Sequence, residues 1–475
     1  MVEYLLPTRI VESKGVSNLD YIFKGTGLYG MHFGKESLWA DFTKFEGKGS
    51  YIILDFGKEM CGGLRLFTAA LKTSNCKIRM RFGESLGEVN SSIGDKRNPT
   101  NDHALRDFET TLTWSADLEI GNTGFRFARI DILEDKFVFI RGIYCKNNMF
   151  SAPQIYDYSG KDECIKKIFE AAKRTIDLCA SSNYIWDGIK RDRVVWIGDC
   201  APEVMALMTL YGDVAPIRNS LDSAQESYPI PVFINAISTY SMWWIIILHD
   251  YYEAFNCVDY LKSKKDYLLG LEKMFDDLID ENGNLSKDVR HMVDWPTVGT
   301  ADEDVGIRSI FLLALNKMDE IYSVLGLNHE KLLKIKRKTL IKPLIVKEKK
   351  QVIALKYFAT GEMSDEEYEL LIKDGAKGFS TFMSYYILSA IASKDEALAI
   401  KLMKDYYGAM LDKGATTFWE DFDIDWCKDS GRIDEIDPNK KDIHGDYGAY
   451  CYIGYRHSLC HGWSTGVIKF IKEHC

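Results

Sequence analysis

Two textures in one chain predict a multidomain β + α fold: an antiparallel β-sandwich over about residues 1–155, then a helical domain over about 156–475. The period of the apolar residues changes near residue 150. Before it, Ile78, Met80 and Phe82 alternate with Lys77, Arg79 and Arg81, and Ala128, Ile130 and Ile132 alternate with Arg129 and Asp131. Turn residues at Gly57, Gly62-Gly63, Gly83 and Gly121-Asn122 punctuate these runs, as in a jelly-roll-like sandwich. After residue 160, Ile165, Ile168, Phe169, Ala172 and Ile176 recur at helical steps through Lys161–Ala180.

The helical period returns around 200–211, 235–255, 262–280, 305–325, 364–374, 379–393, 394–410 and 458–473. Loops rich in Gly, Asp, Asn and Pro separate these stretches, and about 315 residues of this kind hold roughly a dozen helices at ordinary lengths. A helical solenoid and an (α/α) toroid both satisfy that count. The lack of a strict internal repeat tilts the choice toward the toroid.

With 475 residues, two domains are expected. A hydrophobic share of 46% with 27% charged residues fits a soluble globular protein. A net charge of −10 without a basic patch argues against nucleic acid or an anionic membrane as partner. The start Met1–Pro7 lacks the basic and long apolar segments of a signal peptide. The run 242–248 is far short of the ~20 residues of a membrane span and reads as a buried helix containing Trp243-Trp244. Eleven cysteines without CxxC pairs suggest reduced thiols and a cytoplasmic location, so the Asn90-Ser91-Ser92 sequon is expected to have no role.

The densest chemistry lies in Trp186–Asp199, which holds Asp187, Asp192 and Asp199 with Arg191, Arg193, Trp186 and Trp196. The plain reading is a helix start, with Asp199 as cap and the arginines pairing surface acids. The tryptophans favour a sugar site instead. Carboxylates accept hydroxyl hydrogen bonds, indole faces stack on ring carbons, and an arginine holds the acids in place.

A second cluster, Gly414–Asp425, sets Glu420, Asp421, Asp423 and Asp425 among Phe418, Trp419 and Phe422, with Trp426 following. Four acids in six residues would face water, but the rings argue against a wholly solvated face. Such crowding raises at least one carboxyl pKa, as an acid/base residue requires. Two such segments suggest the paired carboxylates of glycoside hydrolysis. His457, Cys460 and His461 have part of a zinc spacing but no evident fourth ligand, so His461 reads as a pocket hydrogen-bonding residue. Asp294-Trp295-Pro296 interrupts helical texture and reads as a further loop at the toroid mouth.

These blocks together resemble the glycoside hydrolase family 78 α-L-rhamnosidases over nearly the whole chain. The resemblance rests on Asp187–Asp199, Gly414–Glu420 and Ser458–Trp463, and in the N-terminal part on Leu54–Glu59 and Thr123–Phe127. It implies an (α/α)6 barrel of the six-hairpin glycosidase type preceded by a β-sandwich. Asp192 falls at the family's general acid, usually Glu, so its carboxyl is expected an ångström or so short of the usual place. Glu420 falls at the general base. Asp187 and Asp199 match acids that bind sugar hydroxyls, and His461 matches a pocket histidine. Arg191, Trp196, Asp294, Trp295 and Trp419 complete the expected substrate-binding set. The family's common C-terminal β-domain is not expected after Cys475, and a single N-terminal sandwich is expected to brace the barrel.

The expected activity is inverting release of terminal α-L-rhamnose from a small glycoside or oligosaccharide, without metal or cofactor. Inversion requires carboxyl groups roughly 6.5–9.5 Å apart. Trp196 or Trp295 would meet the methyl group of the 6-deoxy sugar. Two alternatives stand beside it: a relative that binds rhamnose-like sugars without cleaving them, or a hydrolase of another deoxy or uronic sugar. A basic residue facing C6 would mark the uronic case.

Overall fold

The computed structural model describes residues 1–24, 42–69, 75–99 and 105–475. Among them nine strands pair in one antiparallel sheet: β1 Val2–Leu5, β2 Arg9–Lys14, β3 Val16–Ser17, β4 Thr43–Phe45, β5 Tyr51–Thr68, β6 Cys76–Gly83, β7 Asp107–Leu112, β8 Asp117–Ile132 and β9 Val138–Asn148. The order is β3-β4-β9-β5-β8-β6-β7, with β1 also on β9 and β2 also on β5.

Strand β5 is the hub of the sheet. Its first half pairs with β2, its second half with β9, and β8 runs along both. A register shift between Asp55 and Met60 separates the halves, where extra residues bend a strand. The alternating residues seen in the sequence, Ile78, Met80, Ala128, Ile130 and Ile132, all enter one core with Leu54, Leu64 and Phe125.

A short helix, α1 (Leu86–Asn90), follows β6. Thirteen more follow among the described residues: α2 Glu163–Cys179, α3 Cys200–Tyr211, α4 Ala215–Ser227, α5 Ser238–Phe255, α6 Val258–Ser263, α7 Lys265–Leu278, α8 Glu303–Leu325, α9 Glu330–Leu340, α10 Lys350–Thr360, α11 Asp365–Ile372, α12 Ser384–Ala392, α13 Glu396–Asp412 and α14 Val467–His474. Helix α3 packs on α5, α5 on α8, α8 on α10, α10 on α12, α12 on α14, and α14 returns to α3. The burial patterns match this arrangement. Residues 242–248 of α5 are buried on every side, whereas α13 buries one stripe through Ala399, Leu402, Met403, Tyr406 and Met410. No helix among the described residues is long and apolar enough to cross a membrane.

Three helices carry no clear period in the sequence. Helix α9 has a narrow stripe, Leu332 and Ile335, among six charged residues, and the Val352–Leu355 run of α10 reads equally as a strand. Helix α4 opens on Pro216 with a polar face. The predicted helix at 458–473 starts only at Val467, after a 3-10 turn. The backbone before it is engaged elsewhere: Ser458 N–H donates to Glu420 Oε2 (3.0 Å) and Leu459 N–H to Glu84 Oε2 (2.7 Å).

The sheet docks on the helical part through the N-terminal segments singled out in the sequence. Arg126 pairs with Asp55 (2.9 Å) and with Asp434 (3.1 Å), and donates to Gly414 O (3.1 Å). Gly124 is needed for close approach, because a Cβ there would lie 2.9 Å from the Ile189 carbonyl carbon.

Candidate active site

The chemistry-bearing residues sit on connections between helices, mainly 180–199 between α2 and α3 and 413–466 between α13 and α14. Loops this long in a compact domain usually carry function. The first is closed by reciprocal bonds: Asp187 N–H donates to Val194 O (3.2 Å), and Val194 N–H donates to Asp187 Oδ1 (3.0 Å). Asp192 and Arg193 therefore adopt φ of 54° and 56°, the left-handed region that non-glycine residues rarely occupy. Arg193 holds the turn by donating Nε–H to Ile189 O (2.9 Å), and its guanidinium covers the Trp186 ring. The second loop joins the first where Gly462 N–H donates to Asp187 O (2.7 Å) and Gly188 bridges to His461. Gly462 is obligatory there, since a Cβ would lie 1.5 Å from the buried Glu203 carboxylate.

Glu420 is held on every side. Arg191 Nη2 pairs with its Oε1, Ser458 N–H donates to its Oε2, and its backbone O accepts from Thr381 Oγ1 (2.7 Å) and Trp463 Nε1 (2.8 Å). The same guanidinium reaches Asp192 Oδ2 through Nη1 at 2.6 Å. One arginine thus spans both carboxylates, from segments 229 residues apart. Glu420 is buried, while the Asp192 side chain keeps 29% of its exposure, at the open side.

His461 Nε2 lies 3.3 Å from Glu420 Oε1 and 4.0 Å from both Asp187 Oδ2 and Asp199 Oδ2. Burial, reinforced by Arg191, pushes the imidazole well below its usual pKa, so it is neutral at pH 7. Burial raises Asp187 well above the carboxylate range, with Asp199 and Asp192 adding repulsion. Burial also raises Asp199 to about 8, against the hydrogen bond from Tyr240 OH (2.8 Å) and with Glu420 adding to the rise. Asp199 occupies the N-cap position of α3, so the helix does start where the plain reading put it, but the side chain makes no capping bond and turns to Tyr240 instead.

Asp187, Asp192, Asp199 and His461 line one cavity of about 130 Å³. Trp196, Trp295, Trp463, Tyr240 and Tyr452 form its aromatic walls, and the exposed Arg290 stands on its lining. Trp196 sits edge-on to Tyr240. The sequence singled out Asp187, Asp192, Trp196, Asp199, Trp295 and His461, and the structure gathers them here. Arg191 and Glu420 lie directly behind, through Asp192 and His461.

Two expectations need correction. Trp419 is fully buried, packed on Phe422 and His457, and does not line the cavity. Asp294 is also buried away from the cavity. It accepts from Ser380 Oγ and from Trp295 N–H (2.8 Å), and so fixes the turn that presents Trp295. His457 accepts from Asp421 N–H (2.9 Å) while His461 faces Glu420, so the two do not share a metal.

Sequence reading missed the support from the sheet. Lys190 Nζ lies 2.9 Å from Glu88 Oε1 and 3.3 Å from Glu84 Oε2, and donates to His457 O (2.8 Å). The ammonium is thus paired with two members of the carboxylate–His444 cluster that offers metal-ligand geometry. The available signal was a pair of acids one helical turn apart, directly after a well-patterned strand. Tyr240, Tyr452 and Arg290 had no comparable signal, since each is a single residue in otherwise unremarked sequence.

No known family profile matches the chain, and no curated protein sequence matches it. Solved structures do. A rhamnosidase from Klebsiella oxytoca with rhamnose bound superposes with a TM-score of 0.70 at 17% identity, covering 100% of this chain and 96% of that one. A GH78 family rhamnosidase of Bacillus sp. GL1 gives 0.70 at 16% identity over 90% of this chain and 46% of that one. An α-L-rhamnosidase from Aspergillus terreus gives 0.63 at 16% identity over 94% and 56%. The chain therefore spans about half the length of the last two. At these identities the fold is what is shared: over its full length the chain is folded as the glycoside hydrolase family 78 α-L-rhamnosidases are.

Proposed function

We propose that the protein hydrolyses terminal α-L-rhamnosides with inversion, in a cavity at the mouth of an (α/α)6 barrel braced by a β-sandwich. The observation that carries the reading is the convergence of Asp187, Asp192, Asp199 and His461 on one aromatic-walled cavity, with Glu420 directly behind His461 at 3.3 Å. The return of α14 onto α3 supports closure of the barrel.

In this mechanism Glu420 takes a proton from a water that attacks the anomeric carbon. Asp192, at the open side where a leaving group departs, gives its proton to the glycosidic oxygen. Arg191 bonds both carboxylates and fixes their spacing. Asp187, Asp199 and neutral His461 bond ring hydroxyls, and Trp196 or Trp295 takes the methyl group. Every proton-transfer group is a side chain of this protein, so no cofactor enters.

A second reading makes Asp199 the acid. It is favoured by one observation: Asp199 lines the cavity and, with a pKa of about 8, holds its proton at neutral pH. Release of p-nitrophenol from its α-L-rhamnoside by the parent, Asp192→Asn, Asp199→Asn and Glu420→Gln separates the two. Loss in Asp192→Asn and Glu420→Gln, with partial activity in Asp199→Asn, supports the first assignment. Activity surviving Asp192→Asn but not Asp199→Asn supports the second. Turnover of the β-D-glucuronide instead would give Arg290 the role of a carboxylate partner. No turnover on any glycoside, with L-rhamnose still bound, would make the protein a binding relative.

A further inference from the structure

Two groups of side chains have metal-ligand geometry among the described residues. The first, Glu84, Glu88 and His444, already holds a cation in the Lys190 ammonium, and both His444 nitrogens are engaged, by Ser85 Oγ and His457 O (2.8 Å each). The second, His249, Asp250 and Glu253, lies on α5 away from the cavity. Ser238, where α5 begins, donates its N–H to the backbone O of the cavity-lining Arg290. His249 follows three turns later, about 16 Å along the helix axis.

His249 is 1% exposed, and a carboxylate stands at each of its ring nitrogens. Glu320 Oε2, from α8, is 2.8 Å from Nε2, while Asp250 Oδ1 and Glu253 Oε2 are 3.2 and 3.7 Å from Nδ1. A neutral imidazole carries one N–H. With that proton on Nε2, the closer contact, Nδ1 turns a lone pair toward two anionic oxygens. Such an arrangement needs a cation between them. Lys317 Nζ answers this weakly, at 3.5 Å from Asp250 Oδ1 and 3.9 Å from Glu253 Oε2, beyond good hydrogen-bond lengths.

The spacings fit a metal better. Two ligands about 2.1 Å from a tetrahedral zinc stand about 3.4 Å apart, and 3.2 and 3.7 Å bracket that value. The Glu320 contact then has a purpose, since a carboxylate on the far nitrogen fixes the tautomer of a metal-binding histidine. Two further features agree. Asp250, Glu253 and Glu320 lie in the last two turns of their helices, at the negative ends of the helix dipoles, where acids are unfavourable without a cation. The Tyr386 hydroxyl, on α12, is buried without a hydrogen-bond partner, and after burial Asp250 is the main cause that holds its proton.

We propose that His249 Nδ1, Asp250 and Glu253 bind a divalent transition-metal ion of the zinc class, with Glu320 orienting the imidazole. An imidazole ligand selects such an ion over calcium or magnesium, which take oxygen. The ion neutralises the acids at the ends of α5 and α8 and takes no part in hydrolysis.

The test is calorimetric titration of Zn2+ into the EDTA-treated full chain, in a Cys475→Ser background because that thiol is exposed. The parent should bind zinc in the presence of excess Mg2+. Glu253→Gln, at a side chain 57% exposed where folding tolerates change, should weaken binding at least about tenfold, the scale of losing even an outer partner of a ligand. His249→Gln should abolish it. Lys317→Met, which removes the competing ammonium, should tighten binding about five- to tenfold. No zinc binding by the parent, affinity unchanged in Glu253→Gln, or affinity not raised in Lys317→Met each overturns the proposal. Release of p-nitrophenol from its α-L-rhamnoside should be the same with EDTA, with zinc and in Glu253→Gln, so the metal site stands or falls apart from the hydrolase reading.

Discussion

Lys190 Nζ stands 2.9 Å from Glu88 Oε1 with both side chains fully buried, and this pair links the sheet to the loop that carries Arg191 and Asp192. Glu84, beside it, accepts from Leu459 N–H and Ser458 Oγ on the loop that positions Glu420. The sheet therefore braces both sides of the cavity through one ionic node. Lys190→Met removes the one cation paired with Glu84 among the described residues and leaves Glu88 only the longer contact to Arg106 (3.5 Å), which costs about 3–5 kcal/mol. Urea unfolding should show that loss, and the folded fraction should show a reduced kcat. Unchanged stability would mean that the node is dispensable.

The backbone of Asp192 and Arg193 gives a second prediction. Left-handed conformations at non-glycine residues cost of order 1–3 kcal/mol each and persist where function requires them. Asp192→Gly relieves the strain at φ 54° and gives up the partly exposed ion pair with Arg191. Stability should rise by about 1 kcal/mol while hydrolysis falls to background, a trade-off expected of a working site. A destabilised variant with normal turnover would contradict both halves.

Stability should fall as pH rises through neutrality. Burial lifts Asp294 to about 6, Glu84 to about 7, Asp421 to about 7 and Asp199 to about 8, all above their unfolded values. The folded state then binds more protons than the unfolded state between about pH 4 and 8, so unfolding free energy declines over that window. The stabilisation is fully present below the unfolded pKa and is lost as pH passes each folded value. Thermal scans from pH 5 to 8.5 should show a falling Tm, with a shallower slope in Asp199→Asn. A Tm rising with pH, or the same slope in that variant, would contradict the assignment.

Gly124→Ala tests the docking of sheet on loop. The added Cβ meets the Ile189–Lys190 backbone at 2.9–3.0 Å, where neither partner is a flexible side-chain end. The expected outcome is lower kcat with the sheet still folded by circular dichroism. Normal kcat would show that the loop is placed without the sheet.

Much of this arrangement was legible because it is local. Residues 187–199 hold three acids and their arginine in one stretch, and β6 and the end of β8 announce themselves by alternation of Ile78, Met80 and Phe82 and of Ala128, Ile130 and Ile132 with charged residues. What was illegible depends on partners distant in sequence. Trp419 read as a sugar-facing ring because rings beside acids suggest a site; only the packing of Phe422 and His457 shows which side of the segment it faces. Asp294 was misplaced for the same reason, its partner Ser380 lying 86 residues away. Helix α9 went unseen because its basic face outnumbers its apolar stripe, and tertiary packing settles such a segment where propensity does not.

The most direct test of the central claim is proton NMR of the sugar first released from p-nitrophenyl α-L-rhamnoside by the parent and by Glu420→Gln. The account predicts β-L-rhamnose as the first product, mutarotating afterwards, and no release by the variant. The α-anomer appearing first, or turnover that survives Glu420→Gln, would contradict it.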